Sequence, residues 1–118
     1  MDDQKRIVKQ LKMGTTEMLI LVVLGFRDQY GYEIIRKVHE SSEGYFDLKQ
    51  GFLYPTLQRM EKAKLVRSYW RGSDTQGPDR KYYRITPKGK LRLDASLTAW
   101  KDFSRRFSKT LTSVQKDS

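Results

Sequence analysis

Between Gln50 and Val66 the chain reads QGFLYPTLQRMEKAKLV. Taken at helical spacing, Leu53, Leu57 and Met60 form one apolar stripe, which leaves Tyr54, Thr56, Gln58, Arg59 and Lys62 looking outward. A phenol, a hydroxyl, an amide and two cations are groups that reach phosphate oxygens or base edges in a groove wide enough for a helix. The first acid of the stretch is Glu61. Two readings fit: a helix that enters a major groove, or an ordinary amphipathic helix with a solvated polar side. Pro55 belongs in a first turn, so the helix is expected to start between Gly51 and Tyr54.

Other residues with usable chemistry lie on either side. Tyr32 opens a second helical pattern, where its hydroxyl either meets a phosphate beside free helix N–H groups or belongs to a partly buried ring. Arg71, Arg80, Lys81 and Arg84 gather around GSDTQGPDR, moderated by Asp74 and Asp79. Such cations enter a minor groove or touch phosphate, or else they guard an exposed strand edge against pairing. His39, the single histidine, has no metal-ligand company and reads as a solvated surface residue. There is no nucleophile with a base and no glycine-rich phosphate loop, so neither an enzyme nor a metal or cofactor site is expected.

The elements that position these groups fit one modest domain of 118 residues, completed by a second copy of the chain. With Lys+Arg 24 against Asp+Glu 14, the net charge is +10, a surface that attracts a polyanion through counterion release. Cysteine is absent, so disulfides and thiolate metal sites are excluded. No apolar run approaches the roughly 20 residues of a membrane span and MDDQKR is no signal peptide, so a soluble, cytoplasmic protein is expected.

Ile7, Val8 and Leu11 make a thin stripe on a basic first segment that must dock on something else. Thr15 and Thr16 offer a cap, and MLILVVL from Met18 to Leu24 reads as a buried helix closed by Gly25. QYGY is a turn in which Gly31 supplies a positive φ, followed by a helix from Tyr32 to about Ser42 with Ile34, Ile35 and Val38 inward. The loop after it returns Tyr45, Phe46 and Leu48 to the core. Leu65 to Tyr69 and Lys81 to Thr86 read as two antiparallel strands, a hairpin with a mobile tip. Thr86 and Pro87 then cap and open a long last helix. Its seam of Leu93, Leu97, Trp100, Phe107, Leu111 and Val114, with Phe103 beside it, exceeds what one small domain covers, which implies a partner helix. Trp100 is then either an interface anchor or half of an indole pair that sandwiches a flat aromatic ligand.

In order, three helices, a two-stranded wing and a partner-seeking helix spell a winged helix-turn-helix: mainly α, with a small β-hairpin and a long C-terminal dimerisation helix. The segments GTTEMLIL, GYEI, GFLYPTLQRME, SYW, GPDRKYYRIT and KG resemble the PadR family of bacterial transcriptional regulators, in its short form, over about residues 14 to 100. The resemblance implies a homodimer held by its two terminal helices, Leu11 among the contacts, that represses promoters by binding inverted repeats in double-stranded DNA. It also implies that Tyr32, Tyr54, Arg80 and Lys81 touch DNA, and it sets Trp100 where multidrug-sensing members stack planar drugs at the dimer interface. Met60 replaces a usual leucine, a swap of similar volume, and Phe52 replaces a small residue, which alters what the helix start touches. Residues 1–86 are expected to be the DNA-binding unit and 87–118 the dimerisation helix. The expected DNA contacts are thus Tyr32, Tyr54, Thr56, Gln58, Arg59, Lys62, Arg80 and Lys81, with Trp100 and Phe103 for a planar aromatic effector. A winged-helix protein-interaction module that reads no DNA is the alternative.

Overall fold

The computed structural model describes residues 2–72 and 77–117; residues 73–76 of the expected mobile tip, Asp74 among them, lie outside these. The chain runs α1 (Asp3–Lys12), α2 (Thr16–Phe26), β1 (Gln29–Tyr30), α3 (Gly31–Ser41), α4 (Gln50–Lys62), β2 (Val66–Arg71), β3 (Arg80–Ile85) and α5 (Pro87–Asp117). Ile20, Leu21 and Leu24 of α2, Ile34 and Val38 of α3, and Leu53, Leu57 and Met60 of α4 share one core. Val66, Tyr83 and Ile85 close it from the sheet. Alternation along the strands does the rest, since every second residue must face away.

The sheet has three strands in the order β1-β3-β2, all antiparallel, where a two-stranded wing was expected. QYGY is therefore not a turn. Gln29 is buried opposite Tyr83, and its side-chain amide donates to Val23 O at 2.6 Å, so it satisfies an orphan carbonyl at the end of α2. Tyr30 pairs with Tyr82, and its N–H donates to Glu33 Oε1 at 3.2 Å across the first turn of α3. Gly31 is the first residue of that helix and does not take a positive φ.

Several boundaries also move. Gly25 lies inside α2, and Val22, on the same helix, is exposed. Thr15 stands at the cap of α2, yet its hydroxyl donates back to Lys12 O at 2.6 Å. Helix α4 starts at Gln50, so Pro55 falls in its second turn, where Gly51 at i−4 has nothing within 4 Å of its Cβ direction. Tyr45 is exposed, with Lys12 Nζ 4.3 Å above its ring, whereas Leu48 does reach the core. No residue of α1 is buried.

The junction between α4, β2 and α5 is closely fitted. Lys64 takes φ 64, its N–H donates to Glu61 O and that of Leu65 to Met60 O, both at 2.9 Å, the pattern that closes a helix with a left-handed residue. Thr86 Oγ1 accepts from Gly89 N at 3.0 Å and lies 2.7 Å from Lys64 O, so the cap of α5 is bonded to the exit of α4. A Cβ on Gly89 would collide with Leu65 O and sit 2.8 Å from Ile85 Cγ1. Gly89→Ala is therefore expected to cost about 1–3 kcal/mol in urea unfolding, the usual cost of overpacking. Gly51→Ala, in open space, should hold or raise stability. The reverse order would contradict this packing.

Candidate nucleic-acid interface

Helix α4 buries Leu53, Thr56, Leu57 and Met60. Thr56 was expected outward, but it sits at i+3 from Leu53 and one residue before Leu57, inside the buried sector. Its hydroxyl donates to Phe52 O at 2.8 Å, which satisfies it locally, and accepts from Arg59 Nη2 at 3.1 Å. From inside the buried sector it holds Arg59. Tyr54, Gln58, Arg59 and Lys62 are all exposed, as expected. Glu61, the acid of the helix, accepts from Ser68 N at 3.0 Å and Ser68 Oγ at 2.5 Å, which ties its charge to the sheet and away from the open side.

Tyr54 and Gln58 form one wall of a cleft of about 460 Å³. Arg80, Lys81 and Trp70 of the hairpin form the other, with Tyr30 and Gly31 at its end. The Arg80 guanidinium lies 4.7 Å from the Tyr30 ring centroid and Lys81 Nζ 5.9 Å from that of Tyr83, so tyrosine faces orient both cations. Burial pushes the Tyr83 phenol above its ordinary value, with the charges of Glu61 and Tyr54 adding to it. Gly31 is buried because the Tyr54 ring packs against it. A Cβ there would collide with the Tyr54 hydroxyl oxygen and lie 2.7 Å from Cζ.

The cleft thus brings together Tyr54, Gln58, Arg80 and Lys81. Arg59 and Lys62 do not line it; they extend the basic side of α4 beyond it. Tyr32 stands apart on α3, exposed, with the Arg36 guanidinium 5.8 Å from its ring. Trp70 is the residue the sequence reading missed. It pairs with Lys81 and is 66% exposed. Alternation from buried Val66 through Ser68 was the available signal, since it aims Trp70 at the helix side of the sheet.

Along α5, Trp100, Phe103 and Phe107 stack at successive centroid distances of 6.3 Å, with ring planes 23° and 26° apart. All three are exposed, as are Leu111 and Val114 below them and Leu11 on α1. Leu93 is half-buried and packs on the domain's own core, beside Gly25. Leu97 and Trp100 also line a cleft of about 260 Å³ with Met18, Val22 and Phe46. Among the described residues no His, Asp or Glu cluster could hold a metal, and no helix is long and apolar enough to cross a membrane.

A helical core with a β-hairpin beside the exposed, acid-free side of one helix, and a cationic cleft between the two, defines a winged helix-turn-helix DNA-binding protein. The Transcriptional regulator PadR-like family matches residues 20–95. The chain belongs to that family. A Lysinibacillus sphaericus protein, called uncharacterized protein X, is 36% identical over 87 residues, which cover 74% of this chain and 79% of its own. The crystal structure of a PadR family transcription regulator from Clostridium difficile R20291 aligns with a TM-score of 0.74 at 38% identity, covering 83% of this chain and 99% of that one. That of a PadR family transcriptional regulator from Eggerthella lenta aligns with a TM-score of 0.80 at 28% identity, covering 91% and 90%.

Tyr54 is 41% exposed and packs its ring against Gly31, so Gly31→Ala should displace that ring while sparing the core. The expected result is a loss of DNA affinity of about tenfold, near 1.4 kcal/mol, with little change in Tm. In that background Tyr54→Ala should cost nothing more; an undiminished further loss would show that Gly31 does not position Tyr54.

Proposed function

We propose that this protein is a sequence-specific transcriptional repressor that acts in the cytoplasm as a homodimer on an inverted-repeat operator. Residues 1–86 would carry the DNA-binding unit and residues 87–118 the dimerisation helix. The observation that supports it most directly is the cleft in which Tyr54 and Gln58 of α4 face Arg80, Lys81 and Trp70 of the hairpin. In this reading α4 enters the major groove, with Gln58 and Arg59 at base edges, and the sugar–phosphate backbone passes between helix and hairpin. Lys62 and Tyr32 add phosphate contacts at the margins. A dimer sets two such helices about 34 Å apart, one turn of DNA.

Two further features favour the dimer and an effector. The seam of Trp100, Phe103, Phe107, Leu111 and Val114 is between 49% and 64% exposed, too much contiguous apolar surface for one copy to leave in water. Leu97, half-buried against α2, continues that seam toward the domain. The stacked indole and phenyl faces of Trp100 and Phe103 match a planar aromatic molecule, which would wedge between the long helices and shift the spacing of the two α4 helices.

Anisotropy titrations on DNA from upstream of the gene test the first claim. Affinity should fall by at least about 10³-fold between 50 and 200 mM salt. Arg80→Ala and Lys81→Ala should each flatten the salt slope by about one. Binding that ignores salt would end the reading.

Tryptophan emission tests the effector. A planar aromatic cation should quench the wild-type protein and release it from DNA, and Trp100→Ala, which keeps Trp70, should lose both responses. Equal quenching of the two forms would place the dye elsewhere.

A further inference from the structure

The face of the sheet turned away from the core carries a pattern that the fold does not need. Its cross-strand pairs are Arg67 with Arg84, Tyr69 with Tyr82, and Arg71 with Arg80. Two arginine pairs thus sit directly opposite each other at the ends of one short hairpin, an arrangement that costs stability. All four arginines are exposed. Among the described residues the one acid bonded to this face is Asp28, which accepts from Arg84 Nε at 2.9 Å and from the Tyr69 hydroxyl at 2.6 Å. Even with Asp79, whose carboxylate lies beside Gly72 at the Arg71–Arg80 end, four cations leave a local excess of positive charge.

The rings hold the cations in place. Tyr69 and Tyr82 stack at 5.8 Å, and Tyr30 meets Tyr82 edge-on at 5.5 Å. Arg71 lies 5.4 Å over Tyr82, Arg84 5.5 Å over Tyr69, and Arg80 4.7 Å over Tyr30. Guanidinium planes fixed in this way lose little freedom when a phosphate approaches, and each can meet it bidentately. Arg80 also lines the cleft beside α4, so the array begins at the DNA interface and runs away from it. From Arg80 to Arg84 is about 13 Å at ~3.3 Å per residue, the axial span of roughly four phosphates along one strand of a duplex.

We infer that the outer face of the sheet, from Arg80 and Arg71 to Arg84 and Arg67, binds the sugar–phosphate backbone of DNA flanking the operator and so extends the footprint beyond the base-reading contacts. The inference rests on the DNA-binding reading above. Its partner is duplex DNA, because the array is continuous with the cleft and offers guanidiniums without any exposed apolar anchor.

The test uses the full-length protein and two duplexes: the shortest one that it selects from a random-sequence library, and the same sequence with ten base pairs added on each side. The wild type should bind the longer duplex at least about tenfold more tightly, with a steeper salt slope. Arg67→Gln, which breaks no ion pair among the described residues, should lose part of that gain. Arg67→Gln with Arg84→Gln should lose most of it, and both variants should bind the short duplex as the wild type does. Equal wild-type affinity for the two duplexes, or variants equally weakened on both, would overturn the inference and leave the operator reading intact. Preferential capture of an acidic peptide or a single strand by the same arginines would overturn it in favour of that partner. A wild type that binds neither duplex would overturn both readings at once.

Discussion

One buried stripe, Leu53, Thr56, Leu57 and Met60, decides which side of α4 meets solvent, and the rest of the molecule is arranged about that choice. Ile34 and Val38 from α3, and Ile20, Leu21 and Leu24 from α2, fill the space it faces. At roughly 25 cal/mol per Å² of apolar area, side chains of this size stabilise by about 1.5–3 kcal/mol each, far more than any surface ion pair here. Rotation of α4 about its axis would bury Gln58 and Arg59 without partners, so packing and polar cost enforce the same orientation.

A basic protein must still manage its charge where chains of cations meet a small fold. The solution is local and repeated: arginines and lysines lie on tyrosine faces, as with Arg80 on Tyr30 and Lys81 on Tyr83. The acids are drawn off to structural tasks. Glu61 holds Ser68, Glu33 closes the first turn of α3, Glu17 pairs with Arg92 at 3.3 Å and Asp28 holds Tyr69. With Glu61, the one acid of α4, so engaged, the side that α4 shares with the hairpin stays positive. The same hydrogen bond from the Tyr69 hydroxyl to Asp28 raises the phenol above its usual range, which keeps it a donor.

What could be read without coordinates follows from periodicity. Long apolar patterns gave α2, α3, α4 and α5, and the β-branched and aromatic runs gave β2 and β3 within a residue or two. The Thr86–Pro87 start of α5 was equally plain, and the hydroxyl does cap Gly89. The errors have physical causes. A strand of two residues such as Gln29–Tyr30 has no period to detect; it exists because Gln29 caps α2 and because β3 offers a free edge. Thr56 was misplaced because a polar side chain can be buried once its hydroxyl bonds back to the preceding turn. Spacing along α5 likewise does not reveal where the domain ends and the seam begins, and Leu93 packs on the domain's own core. Gly31 and Gly89 were visible as glycines, but only packing shows that each one makes room for a neighbour, Tyr54 in one case and Leu65 in the other.

That close fit bears on how a signal at α5 would reach α4 in the proposed repressor. The first turn of α5 is bonded through Thr86 to Lys64 O and pressed through Gly89 against Leu65, directly after the last turn of α4. Lys88 Nζ adds a bond to Ala63 O at 2.8 Å. A junction without slack moves as a unit, because packed interiors transmit displacement instead of absorbing it. A tilt of α5 about its partner would therefore carry α4 with it, and not bend the helix locally at Gly89. The effector need supply only the difference between its affinities for two dimer geometries, and a difference of 1–3 kcal/mol already changes operator affinity by about 5- to 150-fold. Trp100 lies 11 residues beyond Gly89, about 16 Å along the helix, and lines the cleft that α5 makes with α2, so a wedge there would move α5 together with the domain it is packed on.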